Sequence, residues 1–384
     1  SSASNYLLLH HSKSLVACLL STGSALLSFT FQLEGTAPRQ SRKIGIMKLY
    51  LPSLLLGAAA VAAHPASYEG VPPEEPVSPE MLLDIYTFAA FSHAAYCNFN
   101  SDGLTGNRLC NDSEPTAPCA AFGDSETVYE VARQAEIAGN VAVDHSRKLM
   151  VVAFHGRATP WVMLQDVEAR AVSAEALCEG CRVHHGLWTA FDKVREQVGQ
   201  AVRRGLHGRE GYRLVATGHS YGGAAATLAA AYLRGLGYKC DLFTYGSPRV
   251  GNREFAEYAS NPGCGLTARV TNKKDAVAAQ PLIGWRRTYA HVTPEYWFEA
   301  GIIKDAAPGN PHVCHGTQVY QCSGQYKFLN PLQVHGRVKD HKAYNRMSQP
   351  CPRSKTPRSG DEMGPSEEEV LLWNWEFESG IPER

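Results

Sequence analysis

The sequence predicts an α/β fold with a mostly parallel central sheet flanked by helices, on three observations. Short apolar runs alternate with helical patterns across the middle of the chain. One serine, Ser220, sits in a glycine-framed turn between such a run and a helix. The 384 residues, 44% of them hydrophobic, suffice for one large core with extra segments at the ends.

The elements follow in order. Ser78 caps a helix with Pro79 at its first position, and Met81, Ile85, Phe88 and Ala95 on one face carry it to about Tyr96. "AGNVAVDHSRKLMVVAFHG", residues 138–156, reads as a hairpin with a polar turn at Asp144 to Arg147. Helix and strand then alternate: "LWTAFDKVREQVGQAVRR" as one helix, residues 213–217 as a strand, and "GGAAATLAAAYLRGLG" as a helix stopped by glycine. "DLFTYG" at 241–246 and "TARVT" at 267–271 are further strands, with "NREFAEYAS" a helix between them. Ligands of such sheets bind beyond the carboxyl ends of the strands, where Ser220, the loop after Phe154 and the loop after Thr271 all fall.

The ends read differently. Residues 1–46 are set aside as a leader. Met47 opens "MKLYLPSLLLGAAAVAAHPAS", a secretory signal peptide over residues 47–63 with small residues before a cleavage near Ala63. A membrane anchor is the rival reading, but the run is shorter than the ~20 residues a span needs and Pro52 interrupts it, so no stable span is expected. A proline-rich linker, 64–77, leads to the main domain, 78–351. The last segment, 352–384, is an acidic flexible tail around the apolar "VLLWNWEF". Lys plus Arg and Asp plus Glu number 37 each, so no basic field exists to draw nucleic acid.

Of eleven cysteines, Cys18 lies in the leader, and the other ten form an even set suited to export. Short loops suggest Cys110 with Cys119, Cys178 with Cys181 and Cys314 with Cys322, leaving Cys240 for Cys264 and Cys97 for Cys351. Zinc is the rival reading of "CEGC", yet no second Cys-x-x-Cys completes a site. The sequon Asn111-Asp112-Ser113 suits a glycosylated surface turn.

The chemistry centres on "ATGHSYGGAAA", residues 216–226. Its Gly-x-Ser-x-Gly turn lets strand and helix approach without Cβ clashes, and the helix that follows aims free N–H groups at a developing oxyanion. Tyr221 N–H, directly after the serine, supplies one such donor. An activated serine needs a histidine base, and that histidine needs a carboxylate. Asp275 is the best-placed acid because it directly follows a parallel strand, whereas Asp241 begins a strand at the wrong end. Among the later histidines, His341 in "VKDHKAYN" comes latest in the core on a polar loop.

These motifs carry a resemblance. "LVATGHSYGGAAATLAAAYLRGLGY", "LFTYGSPRVGN", "RVTNKKDAV", "HVTPEYWFEAG", "CEGCRVHHGLW" and "HKAY" make residues 78–351 similar to the fungal class 3 lipases, a secreted family with feruloyl esterases among its members. The resemblance implies an α/β-hydrolase fold, a catalytic triad of Ser220, Asp275 and His341, and an oxyanion hole from the Arg157 and Tyr221 amides. One site departs from the family pattern of Phe-Arg-Gly followed by Ser or Thr, since Phe154, His155 and Gly156 are followed by Arg157. The backbone donor survives there; the hydroxyl is lost unless Thr159 replaces it, and losing one donor costs about 10² to 10³ in rate. Trp161, Val162, Met163 and Leu164 occupy the position of the family's lid and form an apolar tip.

The expected activity is that of a secreted, extracellular carboxylester hydrolase, first a triacylglycerol lipase acting at a lipid–water interface. The alternative is a feruloyl or other soluble-ester esterase, and a distant one is a weakly active lipase-fold binding protein. The triad needs no metal or organic cofactor.

Overall fold

A computed structural model of the chain describes residues 76–97, 100, 103–109, 122–131, 137–156, 170–281, 289–302, 309–317, 321–326 and 339–346. The expected leader, signal peptide, sequon and tail lie outside them, as do the linker up to residue 75, Arg157, Thr159, the lid run 161–164, Cys110, Cys119 and Cys351.

The helix α1 (Pro79–Ala94) starts where the capping signal places it, with Met81 N–H donating to Ser78 Oγ at 3.2 Å. Such a cap is worth about 1 kcal/mol. β1 (Glu126–Val131), β2 (Gly139–Asp144) and β3 (Leu149–Phe154) form an antiparallel meander. A small antiparallel pair, β4 (Ala171–Ser173) and β5 (Arg182–His184), follows. Next come α2 (His185–Asp192), α3 (Arg195–Leu206), β6 (Arg213–His219), α4 (Tyr221–Gly235) and β7 (Cys240–Tyr245). α5 (Arg253–Ala259), β8 (Thr267–Asn272), β9 (Glu295–Phe298) and β10 (His312–Cys314) complete the set. The main sheet runs β1-β2-β3-β6-β7-β8-β9-β10, and every pairing from β3 to β9 is parallel.

Alternation along the strands divides the core between the two faces. Met150, Val152, Phe154, Ala216 and Leu242 pack under α2 to α5, while Val151, Ala153, Val215, Phe243 and Tyr245 pack against α1. Both faces are covered, so the central strands read as continuous apolar runs. Phe88 of α1 lies 4.7 Å from Phe243 between ring centroids, and Thr217 Oγ1 donates to Phe88 O at 3.0 Å. On the other face, the alanines of α4 let its axis approach the sheet closely, and all of them are buried.

The structure corrects the reading in two places, the helix and Cys240, and bears out two of its disulfides. The expected single helix over 187–204 is two, because Val194 leaves helical dihedrals (φ −122°, ψ −15°) to bury its side chain, and Asp192 and Arg195 bracket the break with a 2.6 Å ion pair. The Cys178–Cys181 and Cys314–Cys322 disulfides form, so the "CEGC" sulfurs bond to each other and not to zinc. Cys240, however, is a free thiol and not the partner of Cys264, which is itself disulfide-bonded. Cys240 opens β7 facing the core under α4, and burial pushes its thiol up to about 12.

β1, the β4–β5 pair, β9 and β10 are absent from the sequence reading. β4, β5, β9 and β10 have only three or four residues, and β1 and β9 carry buried carboxylates. In β1, Glu130 accepts from Thr127 Oγ1 at 2.8 Å. In β9, Glu295 stands directly opposite Arg269 of β8 and accepts its Nη2–H at 2.7 Å, both side chains being almost fully buried. Breaking a buried pair from one side leaves a charge uncompensated and costs about 3–5 kcal/mol. Glu295→Gln is therefore expected to lower the free energy of unfolding by that amount, read as a lower urea midpoint at an unchanged m-value; a midpoint equal to that of the wild type would refute the assignment.

Candidate active site

The carboxyl ends of β6, β7 and β8 converge on one place. β6 ends at His219, and the chain turns at Ser220 with φ 58° and ψ −131° before α4 begins. That left-handed conformation is costly for a residue with a Cβ and persists only where its surroundings enforce it. Ser220 N–H donates to Tyr245 O at 2.9 Å, and Ser220 O accepts from Gly223 N at 2.9 Å. A Cβ on Gly218 would strike the Gly222 carbonyl, and one on Gly222 would strike that of Phe154. The glycines thus let strand, turn and helix close around the serine. Ser220 is 2% exposed, and its Oγ has no hydrogen-bond partner among the described residues.

Asp275 follows β8 by three residues and is held from several directions. Its Oδ1 accepts from Val277 N at 2.9 Å and Ala278 N at 3.4 Å. Its Oδ2 accepts the Tyr344 hydroxyl proton at 2.9 Å, and the same hydroxyl accepts from Asn272 N at 2.8 Å. Both carboxylate oxygens lie 3.0 Å from His341 Nδ1. An acceptor-only carboxylate there requires the proton on Nδ1, so Nε2 is the free lone pair of the neutral ring. His341 lies in a short helical turn fixed to the acid loop from its own side: Asp340 O accepts from Asn272 Nδ2 at 2.9 Å and Asp340 Oδ2 from Lys274 N at 3.3 Å.

His219 joins the serine to the histidine. Its ring stacks on that of His341 at 4.6 Å between centroids, and its Nε2 lies 3.2 Å from His341 O. A carbonyl partner makes Nε2 the donor, so Nδ1 accepts the Tyr96 hydroxyl proton at 2.8 Å. Burial first, then the neighbouring His341 and His93, holds the His219 pKa well below the ordinary histidine value, keeping the ring neutral. Gly246 gives the group its room: with φ 55°, its missing Cβ would meet Asp275 Oδ2 at 2.6 Å, Tyr344 Cε2 at 2.7 Å and His341 Nδ1 at 3.0 Å.

The structure brings Asp275 and His341 together and buries Ser220, next to His219, at the same end of the sheet. It places Tyr221 N–H at the first position of α4. The rejected candidates lie elsewhere. Asp241 stands opposite Val215 at the other end of the sheet, paired with Arg213 at 2.6 Å. His312 pairs with Glu299 at 3.2 Å on the surface, and His291 donates to Ala278 O. Tyr96, His219, Gly246 and Tyr344 escaped the sequence reading. Only Tyr344 had a local signal, lying three residues after His341 and hence on the same side of a helical turn.

A serine in a strand-turn-helix elbow, with a buried His–Asp pair at the same sheet edge, defines the class: this is a serine carboxylester hydrolase on an α/β-hydrolase sheet. Residues 151–285 match the family Lipase (class 3). The chain is 35% identical over 257 residues to the secreted mono- and diacylglycerol lipase 1 of Fusarium solani, covering 65% of this chain and 73% of that one. It is 31% identical over 255 residues to the secreted mono- and diacylglycerol lipase A of Penicillium cyclopium, covering 64% and 79%. The solved mono- and diacylglycerol lipase of Aspergillus oryzae aligns with a TM-score of 0.59 at 28% identity, over 70% of this chain and 96% of that one. The chain belongs to the fungal class 3 lipase family.

Tyr344→Phe removes one charged-acceptor hydrogen bond from Asp275 without changing the ring's packing. It is expected to lower kcat by about tenfold, the equivalent of roughly 1.5 kcal/mol, with KM unchanged. Unchanged turnover in a steady-state assay would show that the two backbone amides suffice.

Stability depends on pH through two imidazoles, the buried His219 and the partly buried His291. Burial, the largest cause, holds both His219 and His291 well below 6.5, so the unfolded chain takes up protons near pH 6.5 that the folded chain refuses. Their contribution is complete above the unfolded value and is lost as pH falls below it, by up to about 1.4 kcal/mol per pH unit for each ring. Urea midpoints should therefore drop on acidification from pH 6.5, and a midpoint flat across that range would contradict the assignment.

Proposed function

We propose that the protein is a secreted acylglycerol lipase working through a Ser220–His341–Asp275 triad and an acyl-enzyme. The observation that carries the reading is the buried His341–Asp275 pair, both oxygens at 3.0 Å from Nδ1, at the strand ends that also carry Ser220. Ser220 Oγ attacks the ester carbonyl while its proton passes to His341 Nε2. The C–O bond to glycerol then breaks, and the leaving oxygen takes that proton. Water, deprotonated by the same nitrogen, attacks the acyl-enzyme and releases the fatty acid and free Ser220. Asp275 stays ionised throughout and stabilises the imidazolium. The amides of Tyr221 and Arg157 hold the oxyanion, with Tyr221 helped by the positive end of α4.

The relatives' names bring monoacylglycerols and diacylglycerols forward as substrates beside the triacylglycerols that the sequence reading puts first. They also support export, which the signal-like segment at 47–63 independently suggests. Among the described residues no helix is long and apolar enough to cross a membrane.

The test is hydrolysis of emulsified tri-, di- and monoacylglycerols, a soluble short-chain ester and methyl ferulate by wild type and Ser220→Ala. The substitution is expected to lower kcat by roughly 10⁶ on every substrate, as loss of a triad nucleophile does. Wild-type turnover should rise sharply when a substrate passes its solubility limit. Turnover confined to soluble esters would make the protein an esterase, and turnover by Ser220→Ala would remove the triad altogether.

A further inference from the structure

The loop that carries Asp275 is held from behind by a buried cation that takes no part in the triad. Four consecutive carbonyls accept hydrogen bonds from two side chains and one amide. His291 Nε2 donates to Ala278 O at 2.8 Å. Arg249 Nη1 donates to Ala279 O and, at 3.0 Å, to Pro281 O, and Arg249 N–H donates to Gln280 O at 2.7 Å. The peptide units on the near side of this segment are the ones that fix the carboxylate, since Val277 N and Ala278 N both donate to Asp275 Oδ1. Ala278 therefore touches both: its amide holds Asp275 and its carbonyl is held by His291.

Arg249 occupies this place at a cost. It is 9% exposed, and no carboxylate lies within ion-pair distance of it among the described residues. Burial first and the Arg269 charge second lower its pKa, while Glu295, engaged with Arg269, opposes them. One nitrogen of that guanidinium, Nη1, bridges two carbonyls of a single turn, and the rigid plane of the group fixes where the nitrogen lies. A buried cation kept for carbonyls alone is hard to explain by stability, because burying charge without a counter-ion is unfavourable.

Resting on the triad reading above, we infer that Arg249, seconded by His291, is a positioning residue for Asp275: it sets the orientation of the carboxylate that holds His341, by fixing residues 278–281. Arg249 lies three residues beyond Gly246, whose missing side chain makes room for the same carboxylate, so one loop both clears the space and braces its far wall. Displacing a reacting group by about 1 Å can cost 10²-fold in rate.

The experiment is a double-mutant cycle between Arg249→Lys and Asp275→Asn on the full chain, with kcat and KM measured separately and folding checked by urea midpoint. Arg249→Lys keeps the charge but replaces the planar group that fixes Nη1 between the two carbonyls with a shorter, flexible ammonium. It is expected to lower kcat by roughly 10- to 100-fold with KM within about twofold of the wild type, and to have no further effect once Asp275 is Asn. Millimolar guanidinium should restore part of the turnover of a folded Arg249→Ala variant. His291→Leu should reproduce the kcat loss on a smaller scale and His291→Gln, which keeps a donor, should not; this pair carries the test should Arg249→Lys fail to fold. Wild-type kcat in Arg249→Lys, or a loss that adds in full to that of Asp275→Asn, overturns the inference while leaving the triad intact. Wild-type turnover in Asp275→Asn overturns the triad and this inference with it.

Discussion

The site depends on one backbone constraint: a serine held at positive φ between the end of β6 and the start of α4. That conformation is available only if three chain segments come closer than side chains normally permit. Gly218 against Gly222, and Gly222 against the end of β3, make the approach sterically feasible, and Gly156 abuts Ser220 Cβ. The alanines of α4 extend the same requirement along the helix, because a helix pinned this tightly at its first turn must lie flat on the sheet. Local strain at one residue is thus sustained by the packing of a whole layer.

From there the parallel order of the sheet does the rest. β7 and β8 follow β6 in register, so the loops after Tyr245 and Asn272 emerge at the same edge as Ser220. The first supplies Gly246 and Arg249; the second supplies Asp275. His341 arrives from much later in the chain and is secured by bonds to the acid loop through Asn272, Lys274 and Tyr344. His219, the neighbour of Ser220, bonds the His341 carbonyl from within. His341 is therefore oriented by contacts to its backbone as well as to its ring.

The sequence exposes what obeys a short-range rule. The capped α1, the hairpin, the elbow and the alternating strands all follow from caps, periodicity and glycine spacing, and Asp275 and His341 from chain order at the strand ends. What it hides depends on partners distant in the chain. Glu295 in a strand looks like a surface residue until Arg269 stands opposite, and Arg249 looks like part of a glycine-rich loop until residues 278–281 fold back over it. Cys240 misleads for the opposite reason. Parity and elimination leave Cys264 as its partner, but the strand start directs its thiol into the core beneath α4, which no count of cysteines reveals. Val194 likewise breaks a helix for the sake of a tertiary contact that periodicity does not contain.

The two carboxylates at neighbouring strands show why such distinctions matter for chemistry. Glu295 faces a guanidinium and two hydroxyls, Thr271 and Ser323, so its charge is spent on structure. Asp275 is buried to a similar degree, yet among the described residues its one ion-pair partner is His341, and its other donors are two amides and a tyrosine, all neutral. Neutral donors keep a carboxylate ionised and fixed without cancelling its field. An arginine at the same place would have stabilised Asp275 equally in the resting protein and in the transition state, which gives no acceleration. In the proposed triad, the field of Asp275 instead acts mainly on the ring that becomes charged during the reaction. Arg249 fits this division, since it braces the acid loop through carbonyl oxygens and leaves the carboxylate itself untouched by any permanent cation.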